Sequence, residues 1–163
     1  MSATLRQYAA PHAVDGRFWR LLGLSLLVHA GLFVGIGGEG LKLIFESFGF
    51  KNGVPLDADL VFDVRFLPNP NYIPEYKRLT GKNPKVAEYI RSFPQTQEFM
   101  AKITDLLTFL LPHYIEEGKS YLTISFGCTG GHHRSVMMAE EMRKRLRKAG
   151  YNVKGLHRDI EKG

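Results

Sequence analysis

Cys128, Thr129, Gly130, Gly131, His132, His133, Arg134 and Ser135 form one uninterrupted run, and nearly every member bears on holding or attacking an anion. The glycines let the main chain curl tightly and approach a ligand with no β-carbon in the way. A helix opening at Arg134 and Ser135 would aim its free N–H groups and the positive end of its dipole into the turn, with the guanidinium beside them. The anion most often held this way is phosphate. Thr129, Gly130, Gly131, His133, Arg134 and Ser135 are therefore the candidate ligand-binding residues, since a turn without a ligand has no need of so many polar groups.

A second chemistry shares the same residues. Cys128 and Arg134 flank five residues and Ser135 follows, a spacing similar to the phosphate loop of cysteine-dependent phosphatases. There a thiolate attacks phosphorus while the arginine and loop amides hold the other oxygens. In this alternative Cys128 and Arg134 are catalytic, and Asp59 or Asp63 is the acid that protonates the leaving group. His132 and His133 have no acidic or thiolate partner at metal-ligand spacing, so no metal is expected. No cofactor is implied either.

The elements that must position this run are readable around it. Leu122, Ile124 and Phe126 alternate with Thr123 and Ser125, which predicts a strand entering the turn. Val136, Ala139, Met142, Leu146 and Ala149 recur at helical spacing among charged residues, which predicts an amphipathic helix leaving it. Tyr151 to Leu156 reads as a closing strand, and Leu41 to Phe45 and Leu60 to Val64 as strands before it. Asp63 is the anomaly in the second of these. A carboxylate inside an apolar strand is costly unless paired, so it either pairs with Arg65 or faces a ligand. Three prolines make Phe66 to Pro74 an extended loop, whose Asn69 could face the glycine turn across the carboxyl ends of the strands. Asn83 and Pro84 start a short helix, and a longer one runs from Pro94 to about Pro112. The expected fold is α/β: a strand, glycine-rich loop, helix and strand in a mostly parallel sheet flanked by helices, with an N-terminal hydrophobic helix appended.

The formal charge is +6 and the pI about 9.5, which favours an acidic partner such as nucleic acid, an anionic surface or a phosphorylated metabolite. From His132 onward nine Lys or Arg stand against four acids, a net of +5. With one cysteine, an intrachain disulfide is excluded and nothing points to an oxidising compartment. Residues 21–38 carry no charge and follow Arg17 and Arg20, a length at which a membrane anchor or signal is expected. Ser25 and His29 within it resemble the anchors of TonB-type energy-coupling proteins. Residues 1–40 are thus expected to be one unit and 41–163 another.

Residues 41–163 resemble the C-terminal domain of the RapZ family, the RNase adapter proteins. The resemblance lies in Ser47-Phe48-Gly49-Phe50-Lys51, the run from Asp57 to Pro70, Leu79-Thr80-Gly81, and the run from Gly127 to Val136. It implies a non-catalytic domain that senses a phosphorylated sugar, glucosamine-6-phosphate, and binds small regulatory RNA, which it presents to an endoribonuclease. It also implies a homo-oligomer and a cytoplasmic location, with membrane association only through residues 21–38. The phosphosugar pocket falls on Thr129, Gly130, Gly131, His133 and Arg134, with Asp63, Arg65 and Asn69 shaping the facing wall. RNA contact falls on His157, Arg158 and Lys162. The family's nucleotide-binding loop, ending in Lys and Ser or Thr, has no counterpart here, so nucleotide hydrolysis is not implied.

Overall fold

The computed structural model describes residues 40–162. The apolar segment 21–38, with the anchor, signal and TonB-like readings placed on it, lies outside the described residues. Among the described residues no helix is long and apolar enough to cross a membrane.

Four strands form one sheet: β1 (Lys42–Gly49), β2 (Leu60–Asp63), β3 (Tyr121–Cys128) and β4 (Asn152–His157). Their order is β2-β3-β1-β4, and every pairing is parallel. Among the described residues the α-helices are α1 (Pro84–Arg91), α2 (Pro94–Glu116) and α3 (Arg134–Lys148). This is the expected α/β architecture. All four strands run the same way, so their carboxyl ends share one edge, and the loops after Gly49, Asp63, Cys128 and His157 gather there.

The core lies on one face of the sheet. Leu43 and Phe45 of β1 stand beside Leu122 and Ile124 of β3, and pack with Phe126, Val153 and the inner faces of the helices. Burying such side chains stabilises by about 1.5–3 kcal/mol each. The opposite face carries Glu46 beside Ser125. Glu46 is 4% exposed and accepts a hydrogen bond of 2.7 Å from the Ser125 hydroxyl. Burial pushes its carboxyl above the usual range, against that hydrogen bond.

Three elements differ from the sequence reading. β2 is an edge strand, paired only with β3, so Val61 and Asp63 reach solvent and Asp63 is no interior carboxylate. The loop after it is not wholly extended, because Pro70–Tyr72 forms a 3-10 turn. There Pro70 supplies the helical φ, and the Asn69 side chain accepts the Asn71 N–H at 3.2 Å. α2 continues through Pro112 to Glu116. Pro112 cannot donate to the Thr108 carbonyl, but Thr108 is exposed, so water can satisfy that oxygen. Leu111 is fully buried and Tyr114 and Ile115 pack on the core, which holds the last turns helical.

Candidate functional site

β3 delivers Cys128 to the carboxyl edge of the sheet, and α3 begins six residues later at Arg134. The turn between them closes over the end of β1. Gly131 has φ +79, and a β-carbon there would lie 2.6 Å from the Gly49 nitrogen and 2.8 Å from the Asp159 β-carbon. Only glycine meets both demands. The first turns of α3 are buried nearly all round, Arg134 through Ala139 included. This is more than a one-sided amphipathic stripe, and it fixes the helix N-terminus firmly.

A cavity of about 370 Å³ opens in front of the turn. Cys128, Thr129, Gly130, His132, His133 and Arg134 line one side, and Asn69, Asn71, Tyr72 and Lys77 the facing wall, with Lys51 at the rim. Among the described residues, no aspartate or glutamate lines it. Among the described residues, no protein acceptor takes the main-chain N–H of Gly130, His132 or His133, and donors of this kind bind anions.

Arg134 is 6% exposed. Its Nη1 donates to the Arg65 carbonyl at 2.6 Å and the Leu67 carbonyl at 3.2 Å, and its Nη2 to the Thr129 hydroxyl at 3.3 Å. Its Nε is buried with no partner. The guanidinium therefore ties the facing wall to the glycine turn. His133 Nε2 donates to the Tyr76 carbonyl at 3.1 Å, a second tie to the same wall. Burial lowers the His133 pKa, with His132 and Arg134 adding to the effect and the Tyr76 and Leu79 carbonyls opposing it. The imidazole is then neutral near pH 7 and its one N–H is already used. What His133 can offer an anion is its main-chain N–H rather than its ring.

The Cys128 sulfur lies 3.1 Å from the Ser135 hydroxyl and accepts the Gly131 N–H at 3.3 Å. Burial raises its pKa, but the hydrogen bonds from Ser135 and Gly131, with the charge of Arg134, outweigh burial and bring the thiol below its ordinary value. Gly131 and Ser135 thus lie beneath the cavity rather than on it. Asp63 and Arg65 do not line it either. Arg65 donates to Asp63 at 2.6 Å, lowering the carboxyl pKa, and its guanidinium lies 4.1 Å from the Phe50 ring. Only the Arg65 carbonyl serves the wall.

His157, Arg158 and Lys162 are placed unequally. The His157 side chain is 8% exposed, and both ring nitrogens are engaged, with Ser47 at 2.8 Å and Glu140 at 3.0 Å. Its side chain is engaged within the domain. Arg158 donates to the Gly53 carbonyl at 2.7 Å and to Asp159 at 2.7 Å. Lys162 is 58% exposed, and its carbonyl accepts from Lys51 at 3.3 Å. His132 donates from Nδ1 to the Ile160 carbonyl at 2.7 Å. The C-terminal turn is thereby attached to two residues of the cavity.

The profile of the RapZ C-terminal domain matches residues 41–161. This chain belongs to that family. A relative from Solibacter usitatus, named a nucleotide-binding protein, is 72% identical over 122 residues, covering 75% of this chain and 38% of the relative. The nucleotide-binding protein Acid345_3782 of Koribacter versatilis is 71% identical over 116 residues, 71% of this chain and 38% of its own. A nucleotide-binding protein of Geotalea daltonii is 54% identical over 161 residues, 99% of this chain and 56% of its own. The chain thus spans between 38% and 56% of the length of these relatives.

Lys51, Asn71, Tyr72 and Lys77 are cavity residues that the predicted ligand set left out, and His132, read above as part of the polar run, lines the cavity as well. Lys51 stood in a family block, Ser47 to Lys51, and Asn71 and Tyr72 in the proline loop. Their shared position at the ends of parallel strands was the signal that could have found them.

Proposed function

We propose that this RapZ-family domain holds a phosphorylated sugar in the cavity, glucosamine-6-phosphate by the family resemblance, and uses the occupied state to regulate a small RNA. The observation that carries the reading is a cavity lined by Lys51, Lys77 and Arg134 with no carboxylate among the described residues, set against a buried helix N-terminus. Cations and unpaired amides converge there on a volume within the range of small-ligand sites. The relatives' nucleotide-binding names agree with a site for a phosphorylated ligand. Presentation of the RNA to an endoribonuclease, self-association and a cytoplasmic location belong to the same proposal. It includes no turnover of the sugar phosphate.

Gly130→Leu tests the pocket without disturbing the fold. The φ of Gly130 is not positive, and a β-carbon there meets only the Lys51 side chain, at 3.8 Å. A leucine fits the backbone and occupies the cavity instead of the anion. Calorimetric titration with glucosamine-6-phosphate should show binding to the parent and none to the variant, with unchanged thermal unfolding. Equal affinities would remove the pocket.

For RNA, Lys162 is the better probe, because it is 58% exposed against 27% for Arg158, while both pair with Asp159. Lys162→Ala should weaken RNA binding evenly across sequences and reduce the slope of log affinity against log salt by about 1. An unchanged slope would take the C-terminal turn out of the RNA surface.

A further inference from the structure

Lys51, Lys77 and Arg134 line the cavity, and among the described residues none of the three is in an ion pair. Arg134 is buried, and its hydrogen-bond partners, two carbonyls and the Thr129 hydroxyl, are all neutral. Lys51 donates to the Lys162 carbonyl at 3.3 Å, another neutral group. The neighbouring cations differ, for Arg65, Arg158 and Lys162 each have a carboxylate within 3.0 Å. Uncompensated positive charge therefore gathers in one concave site, whose low-dielectric walls strengthen its field.

These charges lie in two places. A β-carbon on Gly130 would be 3.9 Å from the Lys51 ammonium, so Lys51 stands beside the turn amides, and Arg134 opens the helix that follows them. Lys77 belongs to the facing wall, with Asn69, Asn71 and Tyr72. A phosphate monoester carries about −1.5 to −2 charges near pH 7, against three positive side chains and the positive end of α3. One phosphate leaves the site positive. The cavity of about 370 Å³ is also within the range that takes a whole small ligand, far more than a phosphate group fills.

We propose that Lys77 marks a second anion subsite, so that the cavity selects phosphorylated sugars carrying another acidic group, a carboxylate or a second phosphate, over those carrying none. The inference rests on the phosphate cavity of the preceding section and adds to it a class of ligand. The phosphate occupies the turn, the sugar spans the cavity, and its other acidic group meets the Lys77 ammonium. Sugar hydroxyls between the two have the Asn69 and Asn71 amides, which both donate and accept. An amino sugar phosphate with a protonated amine would bring a fourth positive charge. Such a ligand enters with its amine neutral and leaves the proton in solvent.

The test is calorimetric titration of the full chain with glucose 6-phosphate and with 6-phosphogluconate, which carries a carboxylate at the end of the sugar away from the phosphate. The second ligand should bind about tenfold more tightly, the worth of one charge-assisted hydrogen bond. Lys77→Met, at an exposed position, should abolish that preference, whereas Lys51→Met should weaken both ligands and keep it. Glucosamine 6-phosphate, titrated near pH 7 in buffers of different ionisation enthalpy, should release more protons on binding than glucose 6-phosphate does. Equal affinities in wild type, or a preference that survives Lys77→Met, would overturn the second subsite and leave the phosphate cavity standing. Proton release no greater than with glucose 6-phosphate would show that the site tolerates an ammonium, which overturns the argument from charge. If neither sugar phosphate nor inorganic phosphate binds, the cavity reading falls and the subsite with it.

Discussion

Arg134→Ala is expected to weaken binding of inorganic phosphate or a sugar phosphate by about 100-fold or more and to destabilise the fold by about 3 kcal/mol. The first figure follows from losing a charged hydrogen bond of about 1.5–3 kcal/mol, where each 1.4 kcal/mol is a factor of about 10, together with the wall that the guanidinium holds. The second follows from the interior. The variant leaves the Leu67 carbonyl without its 3.2 Å donor where Leu67 itself is 2% exposed. It also frees the Arg65 carbonyl and the Thr129 hydroxyl, and an unsatisfied buried group costs about 1–3 kcal/mol. Arg134→Lys separates the two roles. It keeps the charge, but a single ammonium cannot span two carbonyls, a hydroxyl and a ligand as the planar fork does. Hydrogen exchange should therefore show faster amides in the 65–69 segment in both variants, with binding partly retained in the lysine form. Full affinity in Arg134→Ala would mean that the loop amides suffice and that the guanidinium only braces the wall.

Arg134 also shows what the sequence could and could not disclose. The strand, turn and helix around it were readable because each signal is local: alternation over β3, glycines in the turn, helical spacing over α3. Its spacing from Cys128 announced an anion. Nothing local announced that the same guanidinium would reach residues 69 and 67 positions back along the chain, at Arg65 and Leu67. Asp63 and Arg65 illustrate the converse. Their two-residue spacing suggested the pair that the structure contains, but whether they faced a ligand depended on β2 lying at the sheet edge, which is a property of strand order.

The end of α2 and the setting of His157 were not legible in the sequence, for related reasons. Pro112 is a strong local stop signal, and tertiary burial of Leu111 with the packing of Tyr114 and Ile115 overrides it. His157 belongs to the closing strand, and family resemblance assigned it to RNA. Its environment is set by Ser47, 110 residues away, and Glu140 on α3. In each case the deciding partner is distant in sequence and has no pattern of its own.

The extreme case is Asp159, a residue in no motif, whose replacement by asparagine should destabilise the domain by about 3 kcal/mol at neutral pH. It is fully buried, and its Oδ2 accepts from the Gly49 N–H at 2.8 Å and from Arg158 at 2.7 Å. The Lys162 ammonium is 3.0 Å from Oδ1, though not aligned to hydrogen bond it. Breaking a buried ion pair costs about 3–5 kcal/mol, and the low end applies because Arg158 and Lys162 remain 27% and 58% exposed. The pH dependence gives the prediction its sign. Burial raises the Asp159 pKa, but the hydrogen bonds from Arg158 and Gly49, with the nearby Lys162 ammonium and Asn52, outweigh it and leave the carboxyl far below the ordinary range. A carboxyl depressed in the fold contributes stability above its unfolded value of about 3.9 and loses it as the pH falls below that value towards the folded one. Urea unfolding should therefore show the gap between wild type and Asp159→Asn constant near neutrality and narrowing below about pH 4. A gap independent of pH would mean that shape rather than charge is what Asp159 supplies. Because its β-carbon sits 2.8 Å from where a Gly131 β-carbon would be, the variant should also lose phosphate affinity without touching the ligand. Loss of stability with affinity intact would show that the turn keeps its shape without the carboxylate beneath it.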